Sequence, residues 1–221
     1  MAADKIHRIY IAVDTSTFTP ATSESRDMAR RSLGVPRDAV VVGSFQKDGE
    51  GWGEGNVAKS IKGPDIFVET MRCLKADIPE LHVLLTGPAR GYVKAGLAAA
   101  EIPFTHVYLQ DYMELPAVYH ALDAYLVSSR EEGGPKAVLE SMASGIPLVT
   151  TPVGQATELV QHGRNGLLAE GFSPEELAEL CRSALLDGSL RETLVAEGLH
   201  TAQNNSYDSQ VEAWKHFFSE D

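Results

Sequence analysis

Positive charge is scarce in this sequence of 221 residues: 19 Lys and Arg stand against 31 Asp and Glu, a net charge of −12, and the cations are scattered. Nucleic acid is bound largely through its phosphates by a basic face, so a nucleic-acid partner is not expected. Cysteine is scarcer still. Cys73 and Cys181 both fall in helix-like segments and read as buried free thiols of a protein in a reducing compartment. No stretch approaches the ~20 consecutive apolar residues of a membrane span. Residues 1–7 lack the apolar core of a signal peptide, so the expected location is cytoplasmic. The seven histidines show no metal-ligand spacing, and no Ser/His/Asp grouping stands out. Neither a protein-bound metal nor a cofactor is therefore expected.

Hydrophobic residues make up 43% of the chain, enough for one large domain or a domain with an extension. The strand-like runs are apolar throughout rather than alternating, the pattern of strands buried on both faces. They fall at 39–45, 81–86, 105–109, 124–127, 147–151 and 166–169, with a further short run at 8–13. Helical patterns occupy 23–33, the stretch from Pro64, 93–100, 115–122, 135–144 and 173–186, then one through 197 and one at 211–218. Gly34 and Pro64 mark helix ends, and Ser173-Pro174-Glu175-Glu176 reads as a capping box. This alternation predicts an α/β fold: a Rossmann-like, doubly wound parallel sheet with helices on both faces. The expected division is a linker strand and helix at 1–36, the α/β domain at 37–198 and a helical extension at 199–221. Ligands of such sheets sit outside the carboxyl ends of the strands. The loops after Phe45, Leu85, Leu109, Val127 and Thr150 are thus the ones to inspect, and the glycine-rich loop 46–62 is long enough to suggest a function.

The loop after Val127 carries the most chemistry. Glu132-Gly133-Gly134-Pro135 leads into a helix that holds Glu140. The two glycines allow close approach to the backbone, and Pro135 suits the first helical position. The amides of Lys136, Ala137 and Val138 then point out of the helix start with the positive end of its dipole, a geometry suited to a diphosphate. Carboxylates beside an anion site make sense as acceptors for sugar or ribose hydroxyls, which is the role open to Glu132 and Glu140. Two plainer readings stand beside this one: Lys136 pointing to solvent, and Lys136 with Glu140 as an i,i+4 surface ion pair.

Glu132-Gly133-Gly134-Pro135 followed by Glu140-Ser141-Met142-Ala143-Ser144-Gly145-Ile146-Pro147 resembles the E-x7-E signature of the large retaining family of GT-B glycosyltransferases, the glycosyl transferases group 1. The resemblance extends through Val149-Thr150-Thr151-Pro152-Val153-Gly154, Glu158-Leu159-Val160 and Gly163 to Leu168, and covers roughly residues 40–171 densely. It implies the C-terminal, donor-binding half of a GT-B architecture, with a nucleotide-diphosphate sugar of UDP or GDP type as partner. By that resemblance Glu140 accepts hydrogen bonds from the donor ribose, and Glu132 lies at the transferred sugar as the catalytic candidate. Gly133, Gly134, Lys136 and Ala137 contact sugar and phosphate, and Lys62 before Gly63 matches a family cation on the diphosphate. The sequence departs from the pattern at two places. Ser44 stands where Arg is common, leaving Lys47, or its rival Lys59, to reach the phosphates; Gly134 stands where Phe is common, which widens or loosens the sugar pocket. Tyr112, after a strand end, is a candidate base-stacking platform or a loop aromatic; Glu158 is a surface or capping residue or a ligand contact.

Residues 7–20 resemble the connector ahead of the donor domain, and the helix around Trp214 to Phe218 resembles one that returns towards an N-terminal GT-B domain, in the same or a separate chain. The expected function is donor binding for transfer of a hexosyl group with retention. The rivals are a silent nucleotide-sugar-binding module and a sugar-nucleotide epimerase, the latter lacking evident acid/base residues.

Overall fold

A computed structural model describes residues 8–219. The elements follow in the order α1 (Ser23–Leu33), β1 (Val40–Phe45), α2 (Pro64–Asp77), β2 (Leu81–Thr86), α3 (Gly91–Ala99), β3 (Phe104–Val107), α4 (Leu115–Tyr119) and β4 (Ala124–Val127). Then come α5 (Lys136–Ala143), β5 (Leu148–Thr150), α6 (Ala156–Leu159), β6 (Leu167–Leu168), α7 (Pro174–Leu186), α8 (Gly188–Asn204) and α9 (Tyr207–Ser219). The strands form one parallel sheet in the order β3-β2-β1-β4-β5-β6. Strand order reverses between β1 and β4, which opens a crevice at their carboxyl ends.

The uniform hydrophobicity of the strands has a direct cause. Successive side chains point to opposite faces, and both faces are covered. Val41, Leu84, Tyr125 and Leu148 enter the core under α1, α4 and α5, while their neighbours Val42, Val83, Leu126 and Val149 enter the core under α2, α3 and α7. α1 begins with a reciprocal cap between Thr22 and Ser25 and ends at Gly34 in the left-handed region, φ 67°.

Several local expectations are corrected. Residues 8–12 form no strand; Val13 alone makes an isolated bridge, to Ser206. The run pairs with no strand of the sheet, and the Ile11 amide donates to Gln155 Oε1 at 3.0 Å instead. Ser173 Oγ does accept from the Glu176 amide, but the Glu176 carboxylate accepts from the Glu170 amide, 2.7 Å, so the capping box is only half made. α4 ends at Tyr119, short of 122, whereas α8 continues to Asn204 and α9 starts at Tyr207. Pro135 caps α5 from outside, with ψ 112°, and is not its first helical residue. Cys181 is buried, but Cys73 is only half-buried. The signal-peptide reading of residues 1–7, and the start of the connector at His7, lie outside the described residues.

Candidate functional site

The crevice holds a cavity of about 370 Å³ lined by Phe45 at the end of β1, Gln46 after it, Lys62 before α2, Tyr112, and Glu132, Gly134, Pro135, Lys136, Ala137 and Glu140 around the start of α5. Glycine places these pieces. At Gly63, φ 58°, a Cβ would lie 1.9 Å from the Ser128 carbonyl oxygen, so only glycine lets the start of α2 press onto the loop after β4. Arg130 fixes that contact: its guanidinium takes both oxygens of Asp65 at 2.8 and 2.6 Å. At Gly154, φ 48°, a Cβ would lie 2.3 Å from the Gly133 oxygen, and the Gln155 amide donates to that same oxygen at 3.0 Å. The glycine turn is thus seated from behind.

Pressed together in this way, Lys62 forms an ion pair with Glu132, whose Oε1 also accepts from Ser129 Oγ at 2.9 Å. Glu140 is held differently. It is 5% exposed and accepts from Tyr112 at Oε1, 2.5 Å, and from Tyr119 at Oε2, 3.0 Å. Burial raises its pKa, against the pull of the two hydroxyls. Burial, followed by the charge and hydrogen bond of Glu140, raises the pKa of both phenols. The Lys136–Glu140 surface ion pair that spacing allows is not formed: Glu140 points inward to the phenols, and Lys136 Nζ stands 5.4 Å from the Tyr112 ring centroid.

The helix start differs from the sequence expectation in one amide. The Val138 amide donates to the Pro135 oxygen at 3.1 Å. The Lys136 and Ala137 amides have no acceptor among the described residues and belong to residues that line the cavity. Lys47 does not line it. Its ammonium lies 3.7 Å from the centroid of the exposed Trp52 ring, a cation–π contact. Lys59 is likewise absent from the lining. The room left by Gly134 is neither open nor loose: a Cβ there would meet Ile11 Cδ1 at 2.7 Å and Gln155 Oε1 at 3.0 Å. Glu158 binds Arg8 and Tyr10, at 2.5 and 2.6 Å, and so ties the N-terminal segment behind the glycine turn.

Sequence reasoning missed Arg90. Fully buried, it donates to the Ser44 and Thr86 carbonyl oxygens at 2.6 and 2.8 Å and to Ser44 Oγ at 3.2 Å. Its Nη2 stands 2.9 Å from Asp48 Oδ2, at angles outside hydrogen-bond geometry. The guanidinium brought to the end of β1 therefore comes from the loop after β2, and it braces loop 46–62 from within rather than facing a ligand. Nothing local in the sequence pairs Arg90 with Asp48; only the adjacency of β1 and β2 does. No group of three His, Cys, Asp or Glu among the described residues is placed to hold a metal ion. No helix among them is long and apolar enough to cross a membrane.

A parallel sheet with a crevice at the strand reversal, where a helix start and two carboxylates line one cavity, defines an α/β domain of the kind that makes up half of a GT-B glycosyltransferase. Residues 54–187 match the family described as Glycosyl transferases group 1, and the chain belongs to that family. The chain is 32% identical over 222 residues to a D-inositol 3-phosphate glycosyltransferase of Geodermatophilus obscurus, covering 91% of this chain and 44% of that protein. It is 26% identical over 211 residues to the lipopolysaccharide core biosynthesis mannosyltransferase LpsB of Rhizobium meliloti, covering 91% and 57%. The chain spans about half the length of the curated relatives it matches. Among solved structures, the C-terminal domain of the group 1 glycosyl transferase LpcC of Francisella tularensis superposes with a TM-score of 0.71 at 21% identity, covering 87% of this chain and 97% of that one. Anabaena HepE, solved with UDP-glucose, gives 0.80 at 22% identity, covering 96% and 56%. These superpositions show the shared fold.

Proposed function

We propose that the cavity binds a nucleoside-diphosphate sugar and that the chain supplies the donor-binding half of a retaining hexosyltransferase. The observation that carries this reading is Glu140, a buried carboxylate whose partners are hydroxyls, set beside a helix start that offers amides to an anion. Ribose hydroxyls are donors of the kind that already hold Glu140. The diphosphate would lie on the Lys136 and Ala137 amides with Lys62 alongside, so that negative charge developing on the leaving nucleotide meets a fixed positive field. Glu132, held by Lys62 and Ser129, would face the sugar and its anomeric carbon. Gly133 and Gly134 would give the sugar close access to the backbone, and Tyr112 would border the nucleoside. Lys47, packed on Trp52, would reach the phosphates only by leaving that ring.

Two relatives support this reading: HepE was solved with UDP-glucose, and the Geodermatophilus protein is named a glycosyltransferase. Acceptor binding would belong to an N-terminal GT-B domain, in keeping with the share of the relatives that the chain spans. Calorimetric titration with UDP, GDP and ADP tests the site. Saturable binding of one of them, lost in Glu140→Ala, is expected. Absence of binding to all three would remove the reading. Binding without hydrolysis or transfer, even when an N-terminal GT-B domain is supplied, would favour a silent nucleotide-sugar module.

A further inference from the structure

Glu140 is the acceptor in this reading, yet only 5% of the residue is exposed. Glu140 borders the cavity, but each of its two oxygens already carries a phenol hydroxyl that a ligand hydroxyl has to replace or share. The two phenols that cover it differ in freedom. Tyr119 is fully buried, with its ring centroid 4.9 Å from that of Phe45, 5.4 Å from Tyr125 and 5.8 Å from Phe18. Tyr112 is 49% exposed, opens the three-residue 3₁₀ turn Tyr112–Glu114, and has one ring neighbour among the described residues, Phe18 at 5.9 Å, with the Lys136 ammonium on its face. Short turns with few hydrogen bonds and a half-exposed side chain open at little cost in free energy.

We propose that Tyr112 is a latch on the donor site: its hydroxyl stands in on Glu140 for a ligand hydroxyl and is displaced by the vicinal hydroxyls of a bound ribose. This rests on the donor-site reading above and adds to it a residue that sets affinity and sugar preference. A buried carboxylate without donors is costly. The exchange avoids that cost, because the phenol leaves for water as the ribose hydroxyls arrive. A nucleotide without those hydroxyls has nothing to exchange, so Tyr112 stays on Glu140 and keeps it covered.

The test is calorimetry on the 221-residue chain and on Tyr112→Phe. The probes are UDP, GDP and ADP, then the 2′,3′-dideoxy form of the tightest binder. The substitution keeps the ring and removes only the half-exposed hydroxyl, and thermal melting confirms that the variant folds. The expected result is roughly three- to tenfold tighter binding of the ribonucleotide by Tyr112→Phe, the scale of one net hydrogen bond that is only part-buried, with the dideoxy nucleotide unchanged. Equal or weaker ribonucleotide binding by the variant, or equal tightening of both nucleotides, overturns the latch and leaves the donor site standing. No binding of any nucleotide by either protein overturns both.

Discussion

Glu132 and Glu140 border one cavity, but they are held by opposite chemistry. Glu132 sits on the glycine turn, paired with a Lys ammonium and one Ser hydroxyl. Glu140 sits inside α5 with two phenols and forms no ion pair among the described residues. A carboxylate tied to a cation is neutralised locally, and its ion pair can be rearranged when an anion arrives and competes for the cation. A carboxylate held by hydroxyls keeps its charge and its lone pairs for other hydroxyls. On the proposed reading, the difference divides the cavity into an anion-facing part beside Lys62 and a hydroxyl-facing part beside Glu140.

The largest break in this comparison is Glu140→Ala. It removes the acceptor and strands the buried Tyr119 hydroxyl, so UDP affinity should fall about a hundredfold. Stability should fall by about 1–3 kcal/mol, read by calorimetry and thermal denaturation. Gly154→Ala attacks the turn that seats Glu132, since the backbone is left-handed and the new Cβ would meet the Gly133 oxygen at 2.3 Å. A loss of about 1–3 kcal/mol is expected in a denaturant titration. Lys62→Ala sharpens the anion-facing half: UDP should bind about tenfold more weakly, while uridine binding stays the same. Glu132→Ala should leave UDP affinity nearly unchanged, because it frees the Lys62 ammonium, but should erase any preference for UDP-glucose over UDP.

The smallest effect is on pH. Burial raises the Glu140 pKa, so its charged form costs stability above that pKa, and the cost is relieved as pH falls. Binding changes in the opposite sense, because ribose hydroxyls need the carboxylate. UDP affinity should therefore decline on acidification earlier than for an ordinary Glu, and Glu140→Gln should lose that part of the pH profile.

The sheet was legible because each strand is covered on both faces, which writes an unbroken apolar run into the chain. The glycine turn and helix start were legible because their chemistry is local: a few consecutive residues supply the turn, the amides and one carboxylate. What escaped was contact between segments distant in sequence. Tyr119 and Tyr112 meet Glu140 across 21 and 28 positions, and Arg90 meets Ser44 across 46. No periodicity records such pairs. Residues 8–12 misled for the same reason, since strand propensity does not say whether a strand partner is within reach. Lys47 was assigned as the cation nearest to Ser44, where the family commonly has Arg, and a neighbouring indole claims it.

A crystal structure of the chain with UDP tests the central claim most directly. The account predicts the diphosphate on the Lys136 and Ala137 amides, the ribose hydroxyls on Glu140, and Tyr112 displaced from its oxygen. UDP bound elsewhere on the molecule, or bound in the cavity with both phenols still on Glu140 and the ribose turned away, would contradict it.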